Sequence, residues 1–116
     1  MIIPKEKYGK LLNKSVLLDE EKILKLKKIK KETSFPARII LQPFLEKVLN
    51  KYENQTNIKT IPHKFTKRKV TTISIGENLY KRLLKLNDKL NFFLYIFIEE
   101  AIDRAENYYL KDDKRN

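Results

Sequence analysis

The hydrophobic pattern has two halves of similar grain. Val70-Thr71-Thr72-Ile73-Ser74-Ile75 alternates with period two and runs straight into Gly76-Glu77 and a helical stretch, which predicts a short strand feeding a helix. A weaker apolar run, Lys14-Ser15-Val16-Leu17-Leu18, precedes Asp19-Glu20-Glu21. Asp19 is a good helix cap, and the carboxylates after it suit the positive end of the helix dipole. Ile23, Leu26 and Ile29 form the apolar stripe of that helix, and Thr33-Ser34-Phe35-Pro36 ends it. Pro36 is placed to open a second helix. That helix carries Ile39, Ile40, Leu41, Phe44, Leu45, Val48 and Leu49, with a kink expected near residues 39–43 from Pro43. Leu79, Leu83, Leu86 and Leu90 define a third helix that stops at Asn91, and a fourth runs from about Phe93 to Tyr109.

A lone strand needs a partner, and the two halves supply one. An offset of 57 residues aligns strand, acidic helix start, break and second helix without a gap. Glu20 falls on Glu77, Leu26 on Leu83, Phe35 on Phe92, Ile39 on Ile96 and Tyr52 on Tyr109, within seven identities over the 37 positions of 16–52. A strand and two helices of about 40 residues cannot bury their own apolar face. Two copies can, if the strands pair antiparallel and four helices close over one face of the ribbon. Val16, Leu18, Ile73 and Ile75 then face the core beside Leu26, Leu83, Ile39 and Ile96, and Ser15, Thr72 and Ser74 face solvent. The expected organisation is one domain over 1–116. It has a first repeat at 13–52, a basic linker at 53–69, a second repeat at 70–109 and a frayed tail at 110–116, with residues 1–13 read as an arm.

Charge narrows the function. The net charge is +11 with 35% charged residues, shared as +6 in residues 1–57 and +5 in 58–116. An acidic polymer is the natural partner, nucleic acid before anionic membrane. There is no cysteine, so disulfides and thiolate metal sites are excluded. His63 is the single histidine and lies in the linker, and two glycines leave no phosphate-cradling loop. No catalytic constellation emerges, so neither an enzyme nor a cofactor or metal is expected. The longest apolar run, Phe92 to Ile98, falls far short of the roughly 20 residues that span a bilayer. With no signal-peptide core at the N-terminus, an intracellular, cytoplasmic location and no membrane partner are expected. Aromatics at Phe93, Tyr95 or Phe97 are candidates for a self-association surface.

Thr72-Ile73-Ser74-Ile75-Gly76-Glu77 with Leu79, Leu83, Leu86, Asn91 and Ala101-Ile102 resembles the ribbon-helix-helix (MetJ/Arc) family of DNA-binding proteins. Val16-Leu17-Leu18-Asp19-Glu20-Glu21 with Leu26, Ile29, Ser34-Phe35 and Phe44-Leu45 resembles it too. The resemblance implies a mainly α fold: two ribbon-helix-helix repeats in one chain forming a pseudodimer, with a two-stranded antiparallel ribbon and four helices. It implies binding of double-stranded DNA with the ribbon in the major groove, and regulation of transcription as a repressor. Tandem arrangements are also similar to some conjugative relaxosome accessory proteins. A plasmid or viral accessory role in relaxosome function, replication or partition is therefore the alternative. A basic helical protein binding RNA or an acidic partner is a third reading. Carried over by position, Thr72 and Ser74, with Asn13, Ser15 and Leu17 across the ribbon, are the base-reading residues. Arg38, near the start of the second helix, is then a phosphate contact. The basic run Lys64 to Lys69 abuts the ribbon and has two readings: phosphate contacts, carried by Arg68 and Lys69, or a solvated linker. Leu17 stands where Ser74 stands in the other half, and Val70 also points outward, which implies unequal base contacts and a site without strict palindromy. Lys22 to Lys31 are expected to form a solvated helix face.

Overall fold

The computed structural model describes residues 8–54, 67–90 and 94–110. It is mainly helical, with four helices and one two-stranded antiparallel sheet. The order is β1 (Leu11–Asp19), α1 (Glu20–Thr33), α2 (Ala37–Glu53), β2 (Arg68–Gly76), α3 (Glu77–Leu90) and α4 (Leu94–Leu110). The linker core at 55–66, with His63, the Asn91 stop, Phe93 and the tail at 111–116 lie outside the described residues.

The strands pair from Leu11 opposite Gly76, through Ser15 opposite Thr72, to Asp19 opposite Arg68. Residues directly opposite one another share a face. Leu18, Ile73 and Ile75 are buried against the helices, and Val16 packs on that core. Asn13, Ser15, Leu17, Val70 and Thr72 are exposed on the other face, and Ser74 is half-buried there. A two-stranded ribbon is marginal by itself, and here α2 lies against β2 and α4 against β1. The two strands are longer than the alternation predicts, because pairing continues past the apolar residues at both ends.

Helix limits follow local chemistry. Asp19 caps α1, its carboxylate accepting from Glu21 N at 2.9 Å. Ser34 ends it in the left-handed region, φ 62°, donating its N–H to the Lys30 carbonyl at 2.8 Å. Pro36 stands just before α2, and α2 continues through Pro43. The main packing is between α2 and α4, with α1 laid on α4 and α3 on α2. Of the core positions expected at Ile39 and Ile96, Ile96 is half-buried and packs on the core, whereas Ile39 is half-buried and its neighbour Ile40 is fully buried, as is Phe97 beside Ile96. Ile39-Ile40-Leu41 is unbroken apolar sequence, so its period does not say which residue faces inward.

The N-terminal arm is also corrected. Tyr8 is a core residue, 4% exposed, with its hydroxyl donating to Glu46 Oε1 at 3.3 Å. Gly9, at φ 78°, turns the chain from Tyr8 into β1. Tyr8 sits so close to Gly76 that a Cβ there would come within 2.7 Å of the Tyr8 Cβ and 2.8 Å of its carbonyl oxygen.

Candidate nucleic-acid interface

The outward face of the ribbon is built from three cross-strand pairs: Asn13 with Ser74, Ser15 with Thr72, and Leu17 with Val70. The alternation of β2 and the register together put all six side chains on the same side. Ser74 Oγ donates to Asn13 Oδ1 at 2.8 Å, which fixes the amide at that end. At the other end Leu17 is 51% and Val70 70% exposed. Base-reading residues expected from both halves are thus brought together on one surface.

The three expected phosphate contacts fare differently. Arg38 is exposed on the rim of a cavity of about 320 Å³ beside β2, which Thr72, Ser74, Lys27 and Lys30 also line. Lys69 is exposed and forms a surface ion pair with Glu20 at 3.3 Å. Arg68 is engaged inside the protein. Its guanidinium pairs with Glu99 at 2.5 Å, reaches the Leu17 carbonyl at 3.4 Å and stacks 3.7 Å above the Tyr95 ring. Two lysines expected on a solvated face, Lys27 and Lys30, are brought alongside the strand. Their three-residue spacing, in step with Ile23 and Leu26, was the available signal. Lys22 and Lys25 instead pair with Asp103 at 2.6 and 3.3 Å, holding α1 to α4. Phe97, a candidate for a surface, is in the core with its ring 5.3 Å from Tyr52, and Tyr95 lies under Arg68.

Beneath the ribbon, polar side chains satisfy the strand ends. Gln42 is fully buried in α2; its Oε1 accepts from Gly76 N at 2.9 Å. Its Nε2 donates to the Ser74 carbonyl at 2.7 Å and to the Arg38 carbonyl at 3.1 Å. Glu99 in α4 accepts from Asp19 N at 2.9 Å as well as from Arg68. Neither Gln42 nor Glu99 belongs to a motif in the sequence. The one hint was a glutamine on the buried side of an otherwise apolar run. An unpaired strand N–H under cover costs about as much as a lost hydrogen bond, so these contacts fix where the ribbon ends.

Further ion pairs lie away from the ribbon. Burial alone would raise the Glu100 carboxyl, but hydrogen bonds from Tyr52, Lys51 and Arg104 outweigh it and hold it below its usual range. Burial first, and then the bond to Glu100, raise the Tyr52 hydroxyl. Glu53 is held low by its hydrogen bonds from Arg82. These contacts use cations for packing and leave Lys27, Lys30 and Arg38 exposed beside β2.

Among the described residues, no group of three His, Cys, Asp or Glu side chains is arranged to hold a metal ion, and no helix is long and apolar enough to cross a membrane. Comparison of the chain with family models, curated proteins and solved structures found no match among them.

Proposed function

We propose that the chain binds double-stranded DNA by laying the outer face of its ribbon in the major groove, and that it regulates transcription by occupying its site. The observation that carries this is the shared outward face of Asn13, Ser15, Leu17, Val70, Thr72 and Ser74. A two-stranded ribbon fits the major groove, about 12 Å wide, and hydroxyl, amide and aliphatic groups are what read base edges there. The basic rim at Lys27, Lys30 and Arg38 lies beside that face, where a phosphate backbone would run.

The chain is read as a single-chain pseudodimer of two ribbon-helix-helix units. Arithmetic supports this: each element of the second half begins and ends 57 residues after its counterpart, β2 after β1, α3 after α1 and α4 after α2. Ser15 and Thr72, themselves 57 apart, are paired with each other at the centre of the ribbon, as a two-fold axis there requires. The strand-end contacts follow the same rule. Glu20 N donates to the Lys67 carbonyl at 3.0 Å and Glu77 N to the Lys10 carbonyl at 2.8 Å. Gln42 takes Gly76 N just as Glu99 takes Asp19 N.

The test is selection from a random duplex pool, followed by mobility shift against the enriched duplex, random duplex and RNA. A defined motif, bound far more tightly than random duplex or RNA, is expected. Neutralising ~6–10 phosphates should weaken binding ~10³–10⁵-fold between 50 and 200 mM salt. No enrichment, or equal affinity for RNA, would refute the reading.

A further inference from the structure

We infer that the ribbon engages DNA in one orientation only, with phosphates gripped beside its Ser74 end and thymine methyl groups packed under its Leu17 end. This rests on the DNA-binding reading above. The outward side chains of each strand run between a polar and an apolar end, and the pairing register sets like ends side by side. Ser74 is opposite Asn13 and Leu17 is opposite Val70, so the polar pair occupies one end and the apolar pair the other. Rotation about the Ser15–Thr72 centre exchanges those ends. A hydroxyl and amide joined at 2.8 Å cannot make the same base contacts as two aliphatic side chains that are 51% and 70% exposed.

The flanks differ in the same sense. Beside Ser74 the cavity rim carries Lys27, Lys30 and Arg38. The residues 57 further on are Leu84, Asn87 and Tyr95, none of them charged. Tyr95 is capped by Arg68, whose charge Glu99 already meets. At the apolar end the exposed Lys69 is met by Glu20 at 3.3 Å, so the unpaired cations of a flank, Lys27, Lys30 and Arg38, are those of the cavity rim that Ser74 also lines. At the apolar end, the group on a major-groove floor that covers aliphatic surface is the thymine 5-methyl. A duplex supplies both partners at once: phosphates complementary to a +11 chain and methyls complementary to Leu17 and Val70. Turning the protein round on its site would set the apolar pair against polar base edges and move the basic rim off its phosphates.

The chain has no cysteine, so one can be placed at will. Lys28 and Lys85 are both exposed and stand 57 residues apart on α1 and α3. Full-length Lys28→Cys and Lys85→Cys proteins, each conjugated to iron-EDTA, are bound to the enriched duplex. Each conjugate is expected to cut one side of the site only, on opposite sides. Cutting on both sides by a single conjugate would overturn the fixed orientation. Uracil is then substituted for thymine on each side in turn. Binding is expected to weaken about fourfold for each buried methyl removed at the end mapped to Leu17, with no change at the other. Leu17→Ala with Val70→Ala should abolish that sensitivity; both side chains are exposed, so the fold is retained. Equal uracil effects at both ends, or none, would overturn the thymine assignment. A pool with no enriched motif would instead remove the DNA reading, and the orientation with it.

Discussion

Replacing Gln42 with glutamate probes how the ribbon ends are held. Gln42 has no solvent exposure and makes three bonds, one accepted and two donated. Glutamate keeps the bond from Gly76 N but turns the contacts with the Ser74 and Arg38 carbonyls from attraction to repulsion. A buried charge stripped of its partner costs about 3–5 kcal/mol, and the repulsion at the two carbonyls is part of that cost. A net loss of about 3–5 kcal/mol is expected, a large part of the ~5–15 kcal/mol that holds a domain together. Glu99 escapes this cost because Arg68 neutralises it and reaches the Leu17 carbonyl, as Gln42 reaches that of Ser74. The residue corresponding to Arg68 is Leu11, opposite Gly76 as Arg68 is opposite Asp19. Leu11→Arg with Gln42→Glu should therefore recover about 1–3 kcal/mol relative to the sum of the single changes. Denaturant unfolding followed by far-UV circular dichroism measures all four corners of the cycle. Additivity to within ~0.5 kcal/mol would show that the two ends are not equivalent, and would refute the reasoning from symmetry.

Gly76→Ala should lower the unfolding free energy by about 1–3 kcal/mol, the usual cost of overpacking, read by denaturant unfolding. Trimming Tyr8 in the same chain should not restore it, because the contact at 2.8 Å is to the Tyr8 backbone carbonyl. Thr72→Ala with Ser74→Ala should cut the ratio of target to random-duplex affinity at least tenfold, at about 1–3 kcal/mol per base contact. Its salt slope should stay unchanged; a mobility-shift titration at several salt concentrations reads both. Glu100 is depressed below the 4.5 of a free carboxyl, so its contribution is present above that pH and fades as pH falls through its lower folded value. Thermal melts should therefore show wild type more stable than Glu100→Gln at neutral pH, with the gap closing below pH 4.5. A gap that widened in acid would contradict the assigned partners.

What was legible in the sequence is what short-range physics decides. The Asp19 cap, the Ser34 break and the Thr72/Ser74 alternation depend on neighbours within a few residues. They lie where those neighbours put them. The outward face was legible as well, because alternation and register are one problem once the strands are known to pair. Three things were not. Ile40 in place of Ile39 was hidden in an unbroken apolar run. Tyr8 is fixed by a gap over Gly76 that exists only after β1 and β2 meet. Arg68 sits in a basic run and reads as a phosphate contact, yet a carboxylate 31 positions away claims it. Distant partners leave no periodicity, and residues that serve buried backbone groups are of this kind.

The same contrast explains how a proposed repeat with only seven identities over 37 positions can keep its geometry. Backbone requirements are the same at both ends of the ribbon, since Gly76 N and Asp19 N each need an acceptor as the chain turns into a helix. Both are met, one by an amide and the other by a carboxylate that then needs an arginine. That substitution is open to a single chain. In a homodimer, glutamate would appear at both ends and demand a guanidinium at both. Joining the halves frees each to solve the buried problem separately, provided the solution holds the same backbone atoms. Outward residues face no such demand from the fold, so Asn13 and Ser74 can diverge from Val70 and Leu17 at no cost in stability. Geometry then stays two-fold where burial enforces it, while the outward face is left free to be asymmetric.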